Sequence, residues 1–279
     1  MTKKVWFVTG ASQGLGLALV KKLIVAGHNV AATSRNVQQL TQAAAAPADQ
    51  FLALSMDLGN EQNIARAIQQ TVDRFGKIDV VVNNAGYGLI GGLEELSDAE
   101  ARANFDTNVF GALNVIRQVL PQLRKQQSGH IFNVASIGGF MGAFPGFGIY
   151  CATKFAMHGF SEALAVEAKP FGIKVTVVSP GYFRTNFLES SSLRVPARPM
   201  AEYTLVREQQ SLHEENYNGN QTGDPDKAAE VLMEVAARKD AHVHLFLGAD
   251  AYDMAAVQIE TIQKELAELK SLATATGFN

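Results

Sequence analysis

The chain is short of several things, and each shortage narrows what it can be. It has one cysteine, Cys151, so no disulfide can close within it, and a reducing cytoplasm is the expected compartment. No hydrophobic run reaches membrane-spanning length, and the apolar stretch Val5-Trp6-Phe7-Val8 is too short for the core of a signal peptide. Neither sign of charge dominates. A net charge of −3 gives no general attraction for nucleic acid or for an anionic membrane, so neither is an expected partner. Internal repeats and domain linkers are also missing. What remains is an ordinary globular balance: 279 residues, 47% hydrophobic and 18% charged. One domain spanning 1–279 is expected, with a core large enough to need neither a disulfide nor a structural metal.

Apolar runs alternate with stretches of helical spacing. Strands are predicted at 5–9, 29–33, 51–55, 78–82, 130–134, 173–178 and 243–247. Helices are predicted at 15–26, through the alanine run up to Pro47, at 61–75, over 99–126 as two helices or one bent one, at 150–169 and at 251–272. Runs such as Val80-Val81-Val82 lack polar alternation, as strands buried on both faces should. Repeated strand–helix–strand units imply right-handed crossovers and an α/β doubly wound parallel sheet with helices on both faces. Residues 184–227 break the rhythm. They are polar, rich in Pro, Ser, Asn and Gln, and too long for a plain connection, so they read as a substrate lid with one or two helices inserted in the single domain.

Thr9-Gly10-Ala11-Ser12-Gln13-Gly14-Leu15-Gly16 falls between the first strand and the first helix. Glycines there let the backbone turn sharply and let a pyrophosphate approach a helix N-terminus. The same glycines would serve a tight turn with no ligand, so position after strand one is what favours a dinucleotide site. Charge then bears on which dinucleotide. A cofactor without a 2′-phosphate is commonly held by an acid at the end of strand two. Here that place is Ser34-Arg35, and no Asp or Glu precedes Asp49, whereas Lys3, Lys4, Lys21, Lys22 and Arg35 do. Arg35 can pair with a 2′-phosphate and Ser34 can hydrogen-bond it, which favours NADP(H); the ordinary alternative for Arg35 is a solvated loop residue.

Tyr150 and Lys154 stand at i,i+4 spacing on one face of a predicted helix. An unperturbed phenol, with a pKa of about 10, exchanges protons reluctantly at neutral pH. A fixed cation beside it would lower that value and suit Tyr150 to trade a proton with a substrate oxygen, while Lys154 could also hold a ribose. Ser136 follows the fifth strand at the sheet edge where open α/β folds bind ligands, and it is either a carbonyl-polarising hydroxyl or a simple cap. Asn83-Asn84-Ala85-Gly86 ends the fourth strand at the same edge. Asn108 interrupts good helix formers, where a polar amide costs local stability; it is either a buried water ligand linking Lys154 to solvent or an exposed polar residue.

Together these motifs resemble the short-chain dehydrogenase/reductase family, with its TGxxxGxG, NNAG, upstream Ser and YxxxK signatures in order. The resemblance implies a Rossmann-like fold of about seven strands, with Ser136, Tyr150 and Lys154 catalytic and Asn108 completing a proton relay. It extends the cofactor site to Gly10, Ser12, Gln13, Gly14, Leu15, Gly16, Ser34, Arg35, Asp57, Leu58, Asn84, Ala85, Gly86, Pro180, Gly181 and Thr185, with Tyr150 and Lys154 shared. Gln13 departs from many NADP-dependent members, which carry Arg or Lys there, and this leaves Arg35 as the main candidate for the 2′-phosphate. The segment 138–147 and the longer tail are similar to the hydroxysteroid-dehydrogenase-like branch. The activity implied is an NADPH-dependent carbonyl reductase, or alcohol dehydrogenase in reverse, acting on hydrophobic substrates. A sugar-nucleotide epimerase-like enzyme and a non-catalytic NADP-sensing protein are the alternatives. A homodimer or homotetramer built on the long helices is also implied.

Several other features read as structural. His242 and His244 would share a strand face without a Cys or HExxH-type partner, so no metal site is expected. Cys151 reads as a small buried residue, and the charges of 260–270 as a solvated helix face. Phe140, Met141, Phe144 and Phe147, interleaved with glycines, either line a pocket or pack the loop onto the core.

Overall fold

In the computed structural model, which describes residues 2–240 and 242–278, the apolar run Val5–Val8 forms a wholly buried first strand, β1. A turn leads into α1 (Gly14–Val25), which returns to β2 (Asn29–Ser34). The unit repeats through α2 (Val37–Ala44), β3 (Phe51–Ser55), α3 (Glu61–Phe75) and β4 (Val80–Asn83). Local chemistry sets the helix ends: the side chains of Asn36 and Asn60 cap α2 and α3, and Gly76 ends α3 in the left-handed region at φ 80°.

A two-residue strand, β5 (Gly88–Leu89), precedes α4 (Asp98–Phe105), whose start is a capping box between Ser97 and Glu100. One π-helical stretch, Asp106–Phe110, joins α4 to α5 (Gly111–Gln126), so the predicted 99–126 helix is continuous but locally widened, and Asn108 sits in the widened turn. β6 (Gly129–Val134), α6 (Gly148–Ala168) and β7 (Ile173–Pro180) follow. The sequence reading opened α6 at Tyr150; it begins two residues earlier. Seven parallel strands, with β9 (His244–Leu247) at one edge, order as β3-β2-β1-β4-β6-β7-β9. The α/β doubly wound parallel sheet read from the sequence is therefore the fold.

Alternate residues of each strand serve opposite layers. Trp6, Val8 and Val82 pack under α1 with Leu19 and Leu23, while Phe7 and Val81 pack against α3, α5 and α6 through Ile64, Val119 and Leu164. Within 184–227, where one or two helices were expected, one α-helix forms entirely, together with a short strand. β8 (Leu193–Arg194) pairs with β5 in a separate parallel ribbon, and α7 (Thr204–Ser211) runs into a π-helical turn, Leu212–Tyr217. α8 (Pro225–Ala237) was not anticipated; it starts inside the predicted lid range and buries Ala228, Ala229 and Leu232 against α1. α9 (Ala249–Ala273) closes the chain. Among the described residues no helix is long and apolar enough to cross a membrane.

Candidate active site

In a parallel sheet every strand ends at the same edge, and here the loops after β1, β2, β3, β4, β6 and β7 surround one cavity of about 760 Å³. The turn after β1 forms one wall. Gly10 and Gly14 have φ of +64° and +59°, which an L side chain rarely adopts. A Cβ on Gly10 would also stand 2.6 Å from the Ala85 Cα. The two glycine-bearing motifs are tied together here: Asn84 N and Ala85 N donate to Thr9 Oγ1 at 3.0 and 3.1 Å, and Asn84 Nδ2 donates to the carbonyls of Thr9 and Gly10 at 3.0 Å. Gly16 lies under this turn and not on the cavity. A Cβ there would meet Asn84 Nδ2 at 2.5 Å, so its role in the structure is close helix–strand packing.

Ser12, Gln13, Gly14 and Leu15 line the cavity, and α1 begins there with no side-chain cap and no acid in its first turn. Free N–H groups and the helix dipole thus face the opening, a donor set that fits a pyrophosphate. Ser34 and Arg35 line the next stretch. Ser34 Oγ accepts from Asn36 N at 3.1 Å, and the exposed Arg35 pairs with no carboxylate among the described residues. Beyond them Asp57 accepts from Gly59 N at 3.0 Å beside Leu58, and Ala85, Gly86, Pro180, Gly181 and Thr185 complete the predicted set on the cavity wall. Gln13 does something the sequence did not suggest: its Nε2 donates to Ser192 Oγ at 2.8 Å and links the glycine turn to the lid.

The opposite wall holds the three residues predicted to be catalytic. Ser136 Oγ accepts from Gly138 N at 3.1 Å, which fixes the hydroxyl beside Tyr150 on the first turn of α6. Lys154 Nζ, one turn further on, donates to the Val134 carbonyl at 3.0 Å and lies 5.7 Å from the centre of the Tyr150 ring. Both side chains are nearly buried, at 8% and 5% exposure. Burial raises the phenol of Tyr150 well above its ordinary value, against the opposing hydrogen bond of Ser136. Burial also lowers Lys154 to about 7. The expected lowering of the phenol by the cation is not what the site shows: burial raises it, and Tyr150 carries its proton at neutral pH as an ordinary phenol also does.

Asn108 is fully buried but does not line the cavity. Its Oδ1 accepts from Tyr87 N, and its Nδ2 donates to Tyr87 O and Thr153 Oγ1, at 3.0, 3.0 and 3.1 Å. Its side chain is thus committed to holding the turn after β4 against α6. A second buried relay, unforeseen, does the same for the sheet. Asn83 Nδ2 donates to Asn133 Oδ1 and Asn133 Nδ2 to Ser161 Oγ, both at 2.8 Å, locking β4, β6 and α6 in register. An asparagine inside the apolar strand Ile131-Phe132-Asn133-Val134 was the available signal.

Four further residues on the lid side were not foreseen. Tyr182 OH donates to His213 Nε2 at 3.0 Å, since His213 Nδ1 is bonded to the Gln209 carbonyl at 2.7 Å. Phe187 tilts over Tyr150 at 6.0 Å, and Gln221 lines the cavity nearby. The Phe-rich segment divides between its two readings: Phe144 and Phe147 line the cavity, while Phe140 packs edge-on to Phe246 at 5.0 Å in a small core cluster. Cys151 is buried and its thiol is pushed up to about 11, so it is unreactive. His244 finds Glu162 and His158 on α6 rather than His242, and burial lowers His158 to about 4 while its Nε2 bonds Ser179 Oγ at 2.9 Å.

Residues 4–195 match the family model described as short chain dehydrogenase. A solved short-chain dehydrogenase from Streptomyces avermitilis is 35% identical, covers 100% of both chains and superposes with a TM-score of 0.90. A Burkholderia cenocepacia short chain dehydrogenase in complex with NADP is 26% identical over 96% of this chain and 97% of its own, with a TM-score of 0.73. Among curated proteins, the 3-ketodihydrosphingosine reductase of Bacteroides thetaiotaomicron is 35% identical and covers 86% of each chain.

Proposed function

The chain belongs to the short-chain dehydrogenase family, an oxidoreductase family, and from that premise we propose that it is an NADPH-dependent carbonyl reductase acting on hydrophobic ketones or aldehydes, or on the matching alcohols in reverse. The observation that carries this reading is one cavity with two complementary walls. One wall offers the uncapped start of α1 and an acid-free cation at Arg35; the other offers Ser136, Tyr150 and Lys154 among Phe144, Phe147 and Phe187. A bound nicotinamide supplies the hydride in this chemistry. Ser136 hydrogen-bonds the substrate oxygen, and Tyr150, protonated at neutral pH, gives that oxygen its proton as charge develops. Lys154 orients the ribose and restores the proton.

Arg35 and Ser34 favour NADP(H) over NAD(H), because nothing acidic in the first turn of α1 or at the end of β2 would repel a 2′-phosphate. The relative named as a ketone reductase and the neighbour bound to NADP support both halves of the reading. The single buried cysteine fits a cytoplasmic protein. Phe110, Phe155 and Val166, exposed on the helices that the family resemblance singled out, fit a homo-oligomer. Mixing the purified protein with NADPH and a panel of aryl, alicyclic and small polar ketones, while following nicotinamide absorbance, tests the proposal. Oxidation with aryl or alicyclic ketones is the expected result. No turnover with any ketone, or turnover only with NADH, would overturn it.

A further inference from the structure

Gln221 sits between the lid and α8, is 3% exposed, and has no partner for either its Nε2 or its Oε1. Among the described residues, it is the only cavity-lining residue whose side chain holds unpartnered buried atoms, and both lie just behind the wall. Its backbone is firmly held: Arg184 Nε donates to the Gln221 carbonyl at 3.1 Å, and the adjoining Gly223 bonds Tyr182 O and Arg184 N at 3.0 and 2.8 Å. The neighbouring polar groups of that wall are already paired, since His213 and Tyr182 bond each other. An amide buried with both ends free is costly, and a ligand that supplies both partners removes that cost.

Resting on the reductase reading, we propose that Gln221 is a recognition subsite for a second polar group on the substrate. The substrate class is an apolar carbonyl compound that also carries a hydroxyl; the amide turns into the cavity, and the hydroxyl then accepts from Nε2 and donates to Oε1 while the hydrocarbon body lies against Phe147 and Phe183. A site built to bond a hydroxyl discriminates strongly against analogues without one. The test uses alkyl ketones with and without a hydroxyl one to three carbons from the carbonyl, on the wild type and on Gln221→Met, which keeps the side-chain volume. At least one hydroxyketone should exceed its parent in kcat/KM by about tenfold or more, through KM, and Gln221→Met should level the pair. Equal kcat/KM across the wild-type series, or a preference that survives in Gln221→Met, would overturn the subsite. So would a loss of NADPH affinity in Gln221→Met with the hydroxyl preference intact. Thermal shifts with the matching diols and mono-alcohols give an independent readout. A larger shift with the diol in the wild type only, without turnover of any ketone, would sustain the subsite and remove the reductase reading; equal shifts would remove the subsite.

A second feature stands apart from the cavity. α9 buries Ala251 and Ala255, but beyond Gln258 every described residue through Phe278 is exposed. Ile259, Ile262, Leu266 and Leu269 recur there at alternating spacings of three and four, and are 43%, 41%, 67% and 55% exposed. That is the a/d pattern of a helix pair, and the unsupported part of α9, Ile259–Ala273, is about the length at which a lone helix is marginal in water. With Ile259 and Leu266 at a, Glu265 falls at g and Lys270 at e, the positions that face each other between parallel partners. The charges are therefore self-complementary, and we infer that the occupant of this face is α9 of a second copy of the chain. Light scattering on the full chain tests this. The double variant Leu266→Glu, Leu269→Glu should halve the mass of the assembly without changing NADPH affinity, and Leu266→Cys should cross-link two chains on oxidation, since Cys151 is buried. A monomeric wild type, an unchanged mass in the double variant, or no cross-link would overturn the inference.

Discussion

The two walls of the cavity are made in different ways. The cofactor wall is built on the ends of β1, β2, β3, β4 and β7, with the turns at Gly10 and Asn84 stitched by four hydrogen bonds at the sheet edge. The lid wall hangs on a few long-range side-chain contacts. Glu95, whose side chain is fully buried, accepts from Arg207 at 2.8 Å and from the backbone of Gly92 and Met200 at 2.6 and 2.7 Å, and so clamps α7 to the loop after β5. Under the proposed function, binding the common part of the reaction and choosing the substrate should be mechanically separable. Changes on one side should leave the other's readout intact.

The largest expected effect tests the chemistry between the walls. Tyr150→Phe should lower kcat by about 10²–10⁴-fold, the usual worth of a positioned proton donor, with the NADPH dissociation constant unchanged. Turnover close to wild type would remove Tyr150 from its role. Next comes the clamp. Arg207→Leu leaves Glu95 buried without its cation, and should destabilise the lid by about 3 kcal/mol, the low end for a broken buried pair because Arg207 is partly exposed. Ketone KM should rise and amide exchange across 193–217 should quicken, while NADPH affinity holds; a fall in both affinities would collapse the separation. The clamp has a pH signature too. Burial pushes the Glu95 carboxyl up, but the bonds from Met200, Gly92 and Arg207 outweigh it and hold the carboxyl below the ordinary carboxylate value. Its stabilisation is therefore complete above that ordinary value and is lost as pH falls through the depressed one.

Arg35→Ala should act on the cofactor wall alone, weakening NADPH roughly tenfold or more with little change for NADH. Titration of the two cofactors by fluorescence decides it, and equal losses would mean that Arg35 does not read the 2′-phosphate. The smallest effect is protonic. Burial holds Lys154 near 7 against an ordinary 10.5, so the free protein gains relative stability as pH rises across that window. If the ammonium form holds the ribose, NADPH binding takes up a fraction of a proton between those values, and affinity falls as pH rises through them. Calorimetry in buffers of differing ionisation heat should register this uptake in mildly alkaline solution and lose it in Lys154→Met.

Much of the cofactor wall was legible because its determinants are local. A glycine that needs positive φ, an apolar run with no polar alternation, and a Tyr–Lys pair at one helical turn each announce themselves within a few residues. Gly16 shows the limit: its place in the motif is plain, yet its burial under Asn84 depends on a strand far along the chain. The lid was illegible for the same reason. Nothing near Glu95 in sequence indicates Arg207, and a polar stretch gives no sign that β8 will pair with β5. α8 was missed because its alanines match helix and loop alike until α1 is there to bury them.

Sequence alone determined the parallel sheet, the acid-free glycine turn, and the order in which Ser136, Tyr150 and Lys154 arrive at its edge, since periodicity and backbone freedom are properties of neighbouring residues. Tertiary structure decided the acidities of the site's two titratable groups. The phenol's rise and the amine's fall come from desolvation by groups brought in from α6, β6 and the lid, and no spacing along the chain carries that information. It also decided which asparagines and glutamines were paired, leaving Gln221 unpartnered in the wall and Asn108 bound on every side, because a hydrogen bond between distant residues exists only once the fold has closed around it.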